Sequence, residues 1–231
     1  MPGYRKNPVE TQGLPPGIGY IIGNEAAERF SYYGMRAVLI VFMTQSLVDG
    51  VGKPDPMNAH EASGWYHLFV MVTYFTPILG AFLADGLLGK YRTIITLSLI
   101  YCLGHAALAM DETRGGLFLG QALIALGSGG IKPCVSAHLG DQFGRANRAL
   151  MGPLYSWFYF AINVGAGISM LLTPWLMATQ GPRVAFVVPG LLMLIATWVF
   201  FSGRNAFTSH WSRFSLALRC CRPKSRPPIR F

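Results

Sequence analysis

Six stretches of mostly apolar residues constrain this chain more than anything else in it. They lie near 19–47, 65–88, 93–110, 116–137, 150–178 and 184–202. A helix of about 20 such residues crosses a hydrocarbon core of about 30 Å, so each stretch is a candidate membrane span. Composition agrees: of 231 residues, 52% are hydrophobic and only 13% charged, against roughly 25% charged in ordinary soluble domains. Mean hydropathy is +0.38. The expected fold is an all-α membrane protein of six transmembrane helices, with a cytoplasmic N-terminus over 1–18, a helical bundle over 19–203 and a basic cytoplasmic tail over 204–231.

The net charge of +9 does not point to nucleic acid, because the basic residues are not gathered into a patch interleaved with aromatics. They sort by loop. Arg5 and Lys6 precede the first stretch, Lys90 and Arg92 follow the second, Arg145 and Arg148 follow the fourth, and Arg204 to Arg230 supply seven after the sixth. The intervening loops hold Lys53, Arg114 and Arg183. The positive-inside rule then puts both termini in the cytoplasm, as six spans require. The N-terminal residues show no cleavable signal peptide. Four cysteines without a CxxC pair exclude a disulfide framework or a zinc site. Cys102 and Cys134 read as packing residues, and Cys220 and Cys221 as an incidental pair or a juxtamembrane lipidation site. The segment VDGVGKPDPMNAHEASG between the first two spans reads as an exposed outside loop.

The first span contains NEAAERFSYYGMR, residues 24 to 36. Glu25, Glu28, Arg29, Tyr32 and Arg36 share one face of a helix of 3.6 residues per turn. A charge near the bilayer centre costs about 2.5–3.5 kcal/mol on insertion scales, so this stripe must face protein or a water-filled cavity. Glu25 can pair with Arg29 one turn on, and Glu28 is biased by the same cation. Two readings fit: a proton switch, or a static ion network that only fixes packing. A surface amphipathic helix conflicts with the length and aromaticity of the segment.

Lys132 stands in ALGSGGIKPCVSA, where Gly127, Gly129 and Gly130 permit close helix approach and Pro133 frees a backbone carbonyl. It supplies positive charge to an anionic group or snorkels to the interface. The phosphate-loop pattern fails here, since Ile131 precedes the lysine and Pro133 follows it. His67 is a titrating group or a structural one. Asn163 faces a ligand or joins helices, and His105 reads as structural. In GAFLADGLLGKYR, Asp85 ends a helix, Gly89 allows a tight turn, and Lys90 and Arg92 can pair with carboxylates, forming a clasp on the cytoplasmic face. No HExxH, nucleophile elbow or metal-ligand cluster marks an enzyme.

These motifs resemble a known family. The glycine, aspartate and basic loop is similar to the signature of the major facilitator superfamily. NEAAERFSYYG, GSGGIKPCVSAHLGDQF and FYFAINVG, in that order, resemble the proton-dependent oligopeptide transporters from about residue 18 to about 203. The resemblance implies the N-terminal half of a major facilitator fold and proton-coupled symport of di- and tripeptides by alternating access. It assigns proton coupling to Glu25, Glu28, Arg29 and His67. It assigns the peptide pocket to Tyr33, Arg36, Tyr74, Lys132 and Asn163, with Arg36 and Lys132 attracting the peptide carboxylate. The clasp of Asp85, Gly89, Lys90 and Arg92 becomes a cytoplasmic gate. No cofactor is implied beyond the proton gradient. The partners are small peptides, the lipid bilayer of the plasma (inner) membrane, and a second six-helix half or a second copy. Relatives carrying other substrates such as nitrate share the glutamate motif, and a non-transporting fragment or accessory membrane subunit is the alternative class. The residues after Gly203 match nothing expected of the family and read as a truncated or frame-shifted end.

Overall fold

A computed structural model describes residues 8–208. It contains six long α-helices: α1 (Ile18–Gln45), α2 (Ala59–Phe82), α3 (Lys90–Met110), α4 (Arg114–Gly140), α5 (Met151–Gln180) and α6 (Pro182–Ser202). A π-helical turn, Leu83–Leu88, extends α2, and short 3-10 turns occupy Arg148–Leu150 and Gly203–Asn205. The expectations for Arg5, Lys6, Cys220, Cys221 and the tail from 209 to 231 lie outside the described residues.

Helix ends follow from local chemistry. Asn58 caps α2 by accepting the Glu61 N–H on Oδ1 at 2.8 Å, and Thr113 caps α4 through Gly116 N. The Asn58 cap corrects one expectation: the polar residues 59–64, read as loop, are the first turns of α2. Gly89 (φ 79°) and Gly181 (φ 85°) break the chain between α2 and α3 and between α5 and α6, in the left-handed region that glycine enters without steric cost.

Among the described residues, five helical stretches are long and apolar enough to cross a membrane. The exception is α1, whose Glu25, Glu28, Arg29 and Arg36 interrupt its apolar run, yet its charged centre is deeply enclosed. Glu25, Glu28 and Arg29 are 5%, 0% and 4% exposed. α1 packs against α5 and α6, α2 against α4, and α3 against both α4 and α6.

Small residues set these crossings. A Cβ on Gly80 would collide with the Gly130 carbonyl, so α2 and α4 touch backbone to backbone. A Cβ on Gly127 would stand 2.6 Å from Tyr101 Cβ, and one on Gly104 2.9 Å from Gly120 O. Lipid offers apolar side chains no hydrophobic incentive to leave it, so close backbone approach and interhelical hydrogen bonds carry the association. Thr76 Oγ1 donates to Ala125 O at 2.8 Å across the α2–α4 crossing, and Ser31 Oγ donates to Pro189 O at 2.6 Å between α1 and α6.

At one end of the bundle the loop after α1 is tied to the starts of α2 and α4. Arg114 donates to both oxygens of Asp55 at 2.6 and 3.1 Å and to Glu61 Oε1 at 2.6 Å. At the other end the chain after α6 turns back, and Phe207 is fully buried against α1, α3 and α4.

Candidate functional site

The ionisable stripe of α1 lies where α1 meets α4. Glu25 Oε1 is 3.1 Å from Arg29 Nε, one helical turn on. Arg29 Nη2 is ion-paired with Glu28 Oε2. Ser128 Oγ on α4 donates to the other Glu28 oxygen at 2.5 Å. One guanidinium therefore serves two carboxylates in a water-poor interior, an arrangement whose charge balance depends on every member. Helical spacing predicted the Glu25–Arg29 pair; Ser128 passed unremarked because nothing local in its sequence ties it to residue 28.

One turn along α4 from Ser128 is Lys132. Its Nζ stands 5.4 Å from the centroid of the Tyr32 ring and 5.7 Å from that of Tyr74. Tyr32 also has Arg36 Cζ at 5.5 Å and Arg29 Cζ at 5.8 Å. Three cations thus converge on one buried ring, whose negative face offsets part of their mutual repulsion. Arg36 is fixed by Tyr66, whose hydroxyl accepts from Nε at 3.1 Å and Nη2 at 2.6 Å. Tyr33 packs edge-on to Tyr32 at 5.5 Å. Hence Tyr33, Arg36, Tyr74 and Lys132 gather around Tyr32, with Tyr66 added by the structure.

Two anticipated residues stand apart. Asn163 is exposed on α5 and its Nδ2 donates to Tyr159 O of its own helix at 2.8 Å. His67 is exposed and meets the edge of Tyr66 at 5.6 Å, so it is linked to Arg36 through Tyr66 and is not joined to the Glu25–Arg29–Glu28 group. Tyr74 is 70% exposed, on an open face that continues through Phe75, Ile78 and Phe82 of α2. α5 presents a second open face with Trp157, Phe160 and Trp175, and Tyr159 is exposed on its opposite side.

The clasp also differs in its partner. Lys90 Nζ pairs with Asp141 Oδ2 at the end of α4, at 2.6 Å. Asp85 is exposed within the π-helical turn, Gly89 makes the sharp turn expected of it, and Arg92 is exposed on α3. Asp141 is 51 residues from Lys90, a separation no local spacing rule reaches.

Comparison with known proteins, by sequence and by fold, places the chain in a family. The sequence profile described as PTR2, POT family, matches residues 91–218, more than half of the chain. The protein "Solute carrier family 15 member 2" of Rattus norvegicus is 42% identical over 220 residues, covering 88% of this chain and 29% of that protein. "Peptide transporter family 1" of Drosophila melanogaster is 39% identical over 208 residues, covering 84% and 27%. The chain thus spans less than a third of the length of these relatives. The crystal structure of the POT family transporter PepTSo superposes with a TM-score of 0.80 at 43% identity, over 87% of this chain and 40% of that one. An auto-inhibited POT family peptide transporter gives 0.78 at 44%, over 85% and 39%. The profile match, the shared helical fold and the identity across both establish that this chain belongs to the POT family, whose members are integral membrane transporters.

Proposed function

We propose that the chain forms the six-span N-terminal unit of a proton-coupled symporter of di- and tripeptides, working by alternating access in the plasma membrane with both termini cytoplasmic. One observation carries this reading: enclosed Glu28 is held between Arg29 and Ser128, and Lys132 follows Ser128 by one turn of α4. Protonation of Glu28 removes its charge and frees Arg29 from one of its two carboxylates. The Glu28–Ser128 contact then loses its ionic character, so α1 and α4 can separate around a ligand. Arg36 and Lys132, both about one cation–π distance from Tyr32, attract a peptide carboxylate. No covalent chemistry and no cofactor enter, and the proton gradient supplies the work.

Exposed polar side chains on the open faces of α2 and α5, Tyr74 and Asn163, are poorly served by lipid and support pairing with a second six-helix unit. Relatives whose names specify peptides favour a peptide substrate over nitrate.

The test is uptake of a labelled dipeptide into proteoliposomes holding this chain together with a C-terminal six-helix unit of a relative. Accumulation is expected only under an inward proton gradient, and Glu28→Gln should abolish it while protein content stays constant. Uptake indifferent to both would reject proton coupling, and uptake of nitrate without dipeptide would reject the peptide reading.

A further inference from the structure

Gln142, just past the end of α4, is 1% exposed, and both ends of its amide are engaged. Nε2 donates to His138 O at 2.9 Å and to Thr208 O at 3.2 Å, while Oε1 accepts the Thr208 N–H at 2.9 Å. The side chain thus binds the backbone of residue 208 as a neighbouring strand would, and it also satisfies a last-turn carbonyl of α4. Beside it, Phe207 fills an aromatic cage, with ring centroids of Phe200, His138, Tyr91 and Tyr20 at 4.8, 5.1, 5.8 and 6.2 Å. A Cβ at position 17 would stand 2.7 Å from Phe207 Cδ1, so the ring packs in its present place against a glycine.

This anchor and the Lys90–Asp141 ion pair occupy the same two helix ends. Lys90 immediately precedes Tyr91 of the cage, and Asp141 immediately precedes Gln142. The ion pair is about one quarter exposed on each side, and partly solvated pairs hold weakly because water competes and the flexible lysine must be held in register with its partner. Fixing the ends of α3 and α4 removes part of that ordering cost. We propose that Phe207 and Gln142 are positioning residues for the Lys90–Asp141 clasp, so that docking of the segment after α6 and closure of the clasp are energetically coupled. Calling the clasp a gate rests on the transport reading, but the coupling does not, and the test involves no transport.

Coupling is reciprocal, so it can be read from either side. In the full chain in detergent, hydrogen exchange of the peptide containing Phe207 and Thr208 is measured for the native protein, Lys90→Met and, as a control at the opposite end, Lys53→Met. Lys90→Met should accelerate exchange by about tenfold, within the range typical of coupled sites, and Lys53→Met should leave it unchanged. In the reverse direction, Phe207→Ala should speed modification of Lys90 by an amine reagent, and Phe207→Leu should restore much of the protection. Unchanged exchange in Lys90→Met, or equal acceleration in Lys53→Met, overturns the proposal. The Lys90→Met arm leaves the cage intact, so it decides the matter even where Phe207→Ala fails to fold.

Discussion

Ser128 Oγ donates to Glu28 Oε1 at 2.5 Å, joining α4 to α1 between residues 100 positions apart. With Arg29 on the second oxygen, Glu28 has a cation and a hydroxyl in place of water. Hydrogen bonds to charged groups contribute about 1.5–3 kcal/mol, so Ser128→Ala should destabilise the protein by about 2 kcal/mol. Arg29→Met strands two buried carboxylates and should cost about 3–5 kcal/mol, more than Glu28→Gln. Thermal unfolding in detergent ranks the three variants. A Ser128→Ala protein as stable as the native one would show that α4 does not hold Glu28.

The backbone contact at Gly80 predicts a sharp contrast between two glycines of α2. Gly80→Ala pushes a methyl into the Gly130 carbonyl, where neither backbone can yield locally, and overpacking of about 1–3 kcal/mol or more is expected. Gly64→Ala adds its methyl to open space and should match or exceed native stability through helix propensity. Yield and monodispersity after detergent extraction, compared side by side, decide it; equal behaviour would mean that the α2–α4 crossing is looser than described.

Arg114 bridges Asp55 and Glu61, tying the 46–58 loop to the start of α4. The groups are about one third exposed, so the bridge is subject to screening. Arg114→Met should lower the melting temperature most at low ionic strength, and the difference from native should vanish as added salt shortens the Debye length to about 3 Å near 1 M. A salt-independent difference would assign Arg114 a packing role.

Asp49 Oδ1 accepts the N–H groups of Val51 and Lys53, each at 2.9 Å. These backbone hydrogen bonds hold its carboxyl below the ordinary value. A depressed folded-state pKa means that the contribution is complete above the unfolded value of about 3.9 and is lost as pH falls through the folded one. The turn should therefore open on acidification below about pH 4. The ratio of pepsin cleavage in the 46–58 loop between the native protein and Asp49→Asn should approach one as pH drops through that window. A ratio that stays constant would remove Asp49 from the account.

Much of the architecture was legible because membrane helices advertise themselves by length and hydropathy. The start of α2 was not: Ala59–Gly64 is polar, and only the Asn58 cap reveals that the helix begins there. Within α1, spacings of three and four residues announced one face, and Glu25, Glu28 and Arg29 do interact along it. Tyr32 was placed on that stripe, but its role as the ring shared by Arg29, Arg36 and Lys132 depends on how α4 crosses α1. Ser128, Tyr66 and Asp141 are partners across helices, and sequence periodicity holds no information about which residue of another helix lies opposite. The residues alone leave Asn163 and His67 open between functional and structural readings, and only the family resemblance gives them functional roles. In this structure the first bonds its own helix and the second leans on Tyr66.

The meeting of Gly80 and Gly130 has a mechanical consequence. Side chains at a crossing can change rotamer and let two helices slide past each other, but two touching backbones have no such slack. α2 and α4 are thereby blocked from gliding at the glycines, and any relative motion is a swing about that point, opposed by the Thr76–Ala125 hydrogen bond and the Trp65–Phe118 contact. About 20 residues of α2 extend on one side of that point, a lever of about 30 Å at 1.5 Å per residue. A swing of about 5° at the glycines therefore carries Tyr66, about 21 Å from Gly80 along α2, through about 2 Å. Added to the 2.6 Å between Arg36 Nη2 and Tyr66 OH, a shift of that size away from Arg36 exceeds hydrogen-bond reach, so a small swing at the glycines is large enough to make or break this contact.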